Sequence, residues 1–155
     1  MRGSQESSFS HPDSVISRDV EGLTIYYAAS GTRYLIASSQ GGAPGEEPTT
    51  PDALYDDSFA VFSIEDSPDR LGASRVGASE AIGAVQESDD AEVTSVALPG
   101  FPNSHFITQE GYVDDLDGSS RETARTGFKL VDWQAIARSF DPPLEGTPLG
   151  WNPRG

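Results

Sequence analysis

Two carboxylates, Asp19 and Glu21, stand one residue apart at the start of the most regular stretch of the chain, DVEGLTIYYAASGTRYLIASSQG (residues 19–41). Side chains two residues apart project from the same face of a β-strand, so the pair predicts a small anionic patch at the end of a sheet. Calcium takes about six to eight oxygen ligands, and two carboxylates on one strand can both reach such an ion. The spacing alone is equally compatible with a solvated strand start that holds no ion.

Short strands are the elements that must position these carboxylates. Runs rich in β-branched and aromatic residues, each closed by Gly, Asp or Ser, predict seven of them. The first two are separated by SGT, which predicts a β-hairpin. The predicted strands span residues 22–30, 33–41, 58–64, 70–77, 91–98, 104–111 and 128–133.

One short helix is predicted near the C-terminal end, in DWQAIARSF (residues 132–140). Asp132 is placed to act as its N-cap, and Trp133, Ile136 and Phe140 fall near one face. This pattern indicates an all-β protein, either a sandwich, a barrel or a propeller, and periodicity does not choose among them. The aromatic residues predicted to lie in the core are Tyr26, Tyr27, Tyr34, Phe59, Phe62 and Trp133.

Two segments lack the pattern of packed elements. Residues 1–17 are polar and rich in Ser, which predicts a flexible lead-in. Residues 42–57, GAPGEEPTTPDALYDD, combine Pro, Gly and acidic residues and predict a surface loop. The first residues have no apolar signal-peptide core, and no stretch reaches membrane-spanning length, so we expect a soluble chain without a targeting segment.

The charge balance narrows the classes of partner. The chain of 155 residues has 25 acidic and 10 basic residues, which gives a formal net charge of -15. Nucleic acids and anionic membranes select basic surfaces, so both are disfavoured, whereas a hard cation such as calcium is favoured. The chain has no cysteine, which excludes disulfide scaffolds and Cys-ligated zinc. His11 and His105 are isolated, and no triad or phosphate-loop motif is present.

Several blocks resemble one family, the β-propeller phytases, which are calcium-dependent alkaline phytases. DVEGLTIYYAASGTRYLIASSQG closely resembles the family's strand–turn–strand signature, and SFAVFSI resembles the next strand of that blade. EVTSVALPGFPNSHFITQEG is similar to a family strand, a Pro/Gly turn and a strand that ends in QDG. GFKLVDWQAIA resembles the closing FKLVPW-x-x-IA segment, and NPRG the tail. The resemblance spans roughly residues 19–154 and matches the C-terminal part of the family pattern.

The resemblance implies a fold, a substrate and a cofactor. The family fold is a six-bladed propeller, of which residues 18–155 would supply the C-terminal part, about two blades, with 42–57 as an inserted loop. Calcium ions at one end of the central channel would bind phytate phosphates, and a calcium-activated water would attack phosphorus. The family is typically secreted, so a signal peptide would lie upstream of this chain.

The resemblance also assigns roles to individual residues. Asp19 and Glu21 match the acidic pair at the channel, as calcium ligands or as groups around the catalytic water. Asp89 matches one acid of a ligand-bearing loop, although the typical TDGID is replaced by SDDAE. Glu110 in TQEG stands where AQDG has an aspartate expected to bind calcium, and Tyr112 follows where another acid is common. The predicted calcium ligands are therefore Asp19, Glu21, Asp89 and Glu110.

Two functions remain open from the sequence. The first is a phytase-like phosphomonoester hydrolase, present here as a fragment. The second is a non-catalytic propeller remnant or interaction module with weak calcium binding or none. No arginine matches a phosphate-contacting position of the family, so the arginines are interpreted as solvated surface residues. We expect the isolated chain to be inactive.

Overall fold

The computed structural model describes residues 20–39, 58–65, 69–79, 82–85, 88–111, 113 and 125–152. These residues form seven β-strands and one short α-helix, an all-β architecture. The elements are β1 (Leu23–Tyr27), β2 (Arg33–Ser39), β3 (Ser58–Ser63), β4 (Asp69–Arg75), β5 (Ala91–Thr94), β6 (His105–Glu110), β7 (Gly127–Asp132) and α1 (Trp133–Arg138). Within the described residues, no helix has the length and hydropathy needed to cross a bilayer.

The strands form two antiparallel sheets in which neighbours in sequence are neighbours in space. The first sheet has the order β1-β2-β3-β4, and the second has the order β5-β6-β7. β1 and β2 form the predicted hairpin, with Tyr26 opposite Tyr34. Its turn is closed by a hydrogen bond of 2.9 Å from the Ala28 N–H to the Thr32 carbonyl, and Gly31 takes the left-handed φ of 97° that the turn requires.

A close approach fixes the outer strand of the first sheet. Gly72 on β4 pairs with Val61 and has a φ of 152°, next to a register shift between Val61 and Phe62. A Cβ at this position would lie 3.0 Å from a ring carbon of Phe140. Glycine therefore allows the segment that follows α1 to pack directly against β4.

The core lies between the two sheets and under α1. Tyr26 and Trp133 stack with ring centroids 4.2 Å apart, and Phe59 meets Phe106 edge to face at 4.8 Å. Trp133 is fully buried, and its indole N–H donates to the Glu145 carbonyl at 3.2 Å. The aromatic side chains thus join both sheets and the helix into one apolar layer.

The predicted elements are all present, with altered boundaries. Asp132 is the N-cap of α1, and its carboxylate accepts the Gln134 N–H at 2.9 Å. The fifth strand ends at Thr94 and not at residue 98. The hydroxyl of the next residue, Ser95, donates to the Tyr27 carbonyl at 2.6 Å. The predicted lead-in (1–17) and inserted loop (42–57) lie outside the described residues.

The predicted core position is wrong for Tyr27. Residues of β1 alternate between two faces, so that Thr24 and Tyr26 are buried between the sheets. Leu23, Ile25 and Tyr27 project from the opposite face and are 64%, 36% and 54% exposed. The first sheet therefore carries apolar side chains on both of its faces.

Candidate functional site

The described acidic residues of the prediction lie at one end of the two sheets. Glu21 precedes β1, Asp89 precedes β5, and Glu110 is the last residue of β6. The antiparallel register places the start of β5 beside the end of β6, with Ala91 opposite Thr108. We refer to this end, where β1, β5 and β7 begin and β6 ends, as the acidic end. Asp19 lies outside the described residues.

A close backbone contact brings the starts of β1 and β5 together. A Cβ on Gly22 would lie 2.7 Å from the Ala91 backbone nitrogen and 2.7 Å from Asp90 Oδ1. Any side chain at residue 22 would displace one of these groups. The glycine between Glu21 and Leu23 is therefore what allows the first acidic position to approach the Asp89–Asp90 turn.

Ser38 holds the backbone at Glu21. Its hydroxyl oxygen accepts the Glu21 N–H at 3.0 Å and the Gly22 N–H at 2.8 Å, and the Ser38 N–H donates to the Gly22 carbonyl at 3.0 Å. Ser38 is fully buried, whereas Glu21 is exposed. The Glu21 carboxylate thus projects into solvent from a fixed backbone. The local sequence carries no signal for these hydrogen bonds, because Ser38 is 16 and 17 residues away from its partners.

The turn that carries Asp89 is fastened to β6. The Asp89 N–H donates to Gln109 Oε1 at 2.9 Å, and the Asp90 carbonyl accepts the Gln109 N–H and the Thr108 hydroxyl, both at 3.1 Å. The Ser88 and Thr108 hydroxyls lie 2.7 Å apart and are buried. Asp89 itself is exposed. As at Glu21, an exposed carboxylate is mounted on a backbone with defined hydrogen bonds.

Glu110 is in a different environment. It is 2% exposed, and its Oε1 lies 2.5 Å from Nζ of Lys129, whose side chain is 10% exposed. The same ammonium group donates to the carbonyls of Gly83 and Ala84, the latter at 2.9 Å. Glu110 is therefore directed between the sheets and already has a cationic partner.

A cleft of about 830 Å³ opens between the end of β4 and the start of β7. Glu110 and Lys129 form part of its described wall, together with Arg75 and Arg125, whereas Glu21 and Asp89 are not among its described lining residues. Glu21, Asp89 and Glu110 thus lie at one end of the described structure without lining one described cavity.

The carboxylates at the acidic end fit a calcium ion only in part. In the ranges that the structure describes, no three Asp, Glu or His side chains converge in a group that could hold a metal ion. Glu110 is engaged by Lys129, and Glu92 Oε1 accepts the Thr24 hydroxyl at 2.5 Å. Glu21 and Asp89 are exposed carboxylates that suit a hard cation, and Glu110 does not.

The exposed ion pair of the first sheet lies away from the acidic end. The Arg33 guanidinium at the start of β2 contacts the Glu65 carboxylate through two nitrogens, at 3.2 and 3.3 Å. This hydrogen-bonded pairing raises the pKa of Arg33 and lowers the pKa of Glu65. Because β2 begins at the end opposite Ser38 and Glu21, Arg33 does not face the predicted site.

Comparison with known proteins gives two similarities. Residues 11–148 match the family described as Phytase. Over 124 residues the chain is 29% identical to the 3-phytase of Bacillus subtilis (strain 168). That alignment covers 79% of this chain and 28% of the Bacillus protein. The chain therefore spans less than a third of the length of this relative.

Proposed function

Because the chain belongs to the phytase family, we propose that it is part of a phytase-like hydrolase that releases phosphate from phytate or related phosphomonoesters. The observation that carries this proposal is the family match, which extends over residues 11–148. The Bacillus relative is a 3-phytase, which supports the same class of reaction.

The arrangement of the sheets supports a place in such an assembly. Each sheet is an antiparallel meander, and the first strands of the two sheets, β1 and β5, lie side by side. Apolar side chains also cover outer faces: Leu23 and Tyr27 on β1, and Phe128 and Leu130 on β7. Stacked meander sheets with apolar faces are the building principle of a β-propeller, in which the two sheets would be two neighbouring blades.

The acidic end is the proposed catalytic end. Glu21 and Asp89 are exposed carboxylates on hydrogen-bonded backbone, and Asp19 precedes Glu21 by two residues. These three residues would hold calcium, which supplies charge neutralisation of phosphate and a bound water of lowered pKa. Asp19 and Glu21 would also orient the attacking water. Their negative charge would attract calcium, and the bound calcium would then attract the negatively charged phosphates of the substrate.

A second candidate function is a non-catalytic module. The observation that favours it is the engagement of Glu110 by Lys129, which leaves the described part of the acidic end with fewer oxygen donors than calcium ordinarily takes. In this case the chain would bind calcium weakly or not at all.

Calcium titration by calorimetry tests the proposed site. We expect the E21A and D19A variants to bind calcium at least tenfold more weakly than wild type, since each loses a charged ligand. The matched control is E65A, which removes an exposed acid at the opposite end of the first sheet and leaves the isotherm unchanged. Identical isotherms for wild type, E21A and D19A would reject the site.

A phosphate-release assay with phytate, run with calcium and with a chelator, tests whether the isolated chain is active. We expect the isolated chain to release no phosphate, because it spans less than a third of the length of the Bacillus relative. Turnover that disappears on chelation would reject the non-catalytic alternative and show that the isolated chain is active. Circular dichroism under both conditions confirms that the compared samples are folded.

A further inference from the structure

We propose that the ammonium group of Lys129, and not a divalent ion, is the cation that neutralises Glu110 and fastens the 83–85 segment to the second sheet. The inference concerns an internal electrostatic clamp, which we call the Lys129 clamp. It involves residues on β6, on β7 and in the segment between β4 and β5.

The hydrogen-bond geometry of Lys129 is complete. A lysine ammonium group has three N–H donors and no acceptor. In this structure it has three oxygen partners: Glu110 Oε1 at 2.5 Å, the Ala84 carbonyl at 2.9 Å and the Gly83 carbonyl. Each donor thus has an acceptor, and the charge is balanced by one carboxylate. A side chain with a merely solvated role would not satisfy all of its donors inside the protein.

Burial of the ion pair prevents a second cation from binding Glu110 while Lys129 is in place. Glu110 is 2% exposed and the Lys129 side chain is 10% exposed, so water can replace little of what either group loses. A divalent ion on Glu110 would have to lie within a few ångströms of the ammonium group. Two cations on one carboxylate repel each other strongly where water is scarce. Calcium could bind Glu110 only after Lys129 had left.

The clamp organises a segment that lacks regular secondary structure. Val85 is fully buried, and its N–H donates to the Val76 carbonyl at 3.0 Å, which links the segment to the end of β4. Lys129 holds the two preceding carbonyls, those of Gly83 and Ala84. The clamp therefore connects the first sheet to the second sheet at the acidic end, just before the turn that carries Asp89.

The direction of Lys129 supports the same inference. In GFKLVD the apolar neighbours Phe128 and Leu130 are 70% and 44% exposed, whereas Lys129 points between the sheets. Hydrophobic burial alone would favour the orientation of β7 in which Phe128 and Leu130 face the other sheet. The opposite orientation places the ammonium group on Glu110, as expected if this contact fixes the register of β7.

A double-mutant cycle tests the clamp by thermal unfolding. We expect K129M to lower the melting temperature by roughly 10 °C, because it leaves a buried carboxylate without a partner. The K129M/E110Q double variant should recover part of this loss, since neither charge remains. The control cycle R33M/E65Q removes an exposed pair and should shift the melting temperature by about 2 °C or less. Additive effects of K129M and E110Q would overturn the proposal.

Calcium titration of E110Q gives an independent readout. We expect its calcium dissociation constant to equal that of wild type within about twofold, whereas E21A weakens binding. A tenfold weaker isotherm for E110Q would show that Glu110 is a ligand and would overturn the clamp. If wild type binds no calcium, the site proposed above fails while the thermal cycle still decides the clamp. The two proposals therefore fail separately.

Discussion

His105 is a buried imidazole at the start of β6, 6% exposed, and within the described residues its Nδ1 has no hydrogen-bond partner. The ring lies against Phe101, with centroids 5.6 Å apart. Burial lowers the pKa of His105 below its ordinary value, because desolvation disfavours the charged imidazolium. Protonation therefore favours the unfolded chain, in which the histidine pKa is about 6.5.

This shift predicts a pH dependence of stability. The contribution of neutral His105 is fully present above about pH 6.5 and is lost as the pH falls toward the lower folded-state pKa. We expect the melting temperature to fall between about pH 7.5 and 5.5, and the H105F variant to show a smaller fall, because histidine is the side chain that ordinarily titrates in this window. The H11Q variant measures the share of the only other histidine. Equal slopes for wild type and H105F would contradict the prediction.

The ion pair between Lys129 and Glu110 is a contact that the sequence did not predict. The sequence suggested a calcium ligand at Glu110, and the structure gives that carboxylate a lysine partner 19 residues away in sequence. No local pattern links these two residues. The pairing follows from the register of β6 and β7, in which Thr108 lies opposite Lys129 and Glu110 opposite Gly127.

At the scale of elements, the junction of β1 and β5 depends on the absence of a side chain at residue 22. A Cβ on Gly22 would lie 2.7 Å from the Ala91 nitrogen, a backbone atom that cannot rotate away. The junction therefore determines how closely the Glu21 and Asp89 backbones approach each other.

The G22A variant tests this junction. We expect it to lose about 1–3 kcal/mol of unfolding free energy, because the added methyl group overpacks a backbone contact. The matched control is G77A, since a Cβ on Gly77 meets no atom within 4 Å, and its stability should change by less than about 0.5 kcal/mol. Urea denaturation followed by circular dichroism measures both. Equal losses in the two variants would show that the close approach has no energetic consequence.

The strands and the helix were predictable because their signals are local. The content of β-branched and aromatic residues predicted β1 and β2, and Asp132 ahead of Trp133 marked the start of α1. The face that each strand buries was less predictable. Tyr27 and Phe128 were both suited to a core, yet they are 54% and 70% exposed, because the face that packs depends on which sheet lies opposite.

At the scale of the whole molecule, the described structure has a main core between the sheets, a small second cluster around Ala37 and Ala60, and apolar side chains on outer sheet faces. Leu23 and Tyr27 lie on the outer face of β1, and Phe128 and Leu130 are exposed on β7. Apolar side chains of this kind stabilise the protein fully only when another surface covers them and removes them from water. Further blades would provide such surfaces in the proposed propeller.

Alanine substitution of one buried and one exposed phenylalanine compares the contributions of the core and of an outer face to stability. We expect F106A to lose about 3–5 kcal/mol of unfolding free energy, because Phe106 is 1% exposed and contacts Phe59. F128A should change stability by less than about 0.5 kcal/mol, because Phe128 is 70% exposed. Chemical denaturation of both variants at low protein concentration makes the comparison. A loss above about 2 kcal/mol for F128A would show that its face is covered in solution.

The sequence by itself determined the order and type of the elements, the N-cap at Asp132, the acidic character of the chain and its family resemblance. These properties depend on residues close together in the chain. Tertiary structure alone decided that Ser38 holds the Glu21 backbone, that Gly22 meets Asp90, and that Lys129 partners Glu110. Such contacts arise only when strands distant in sequence are brought side by side, because the energy of a charge or hydrogen bond depends on its spatial neighbours.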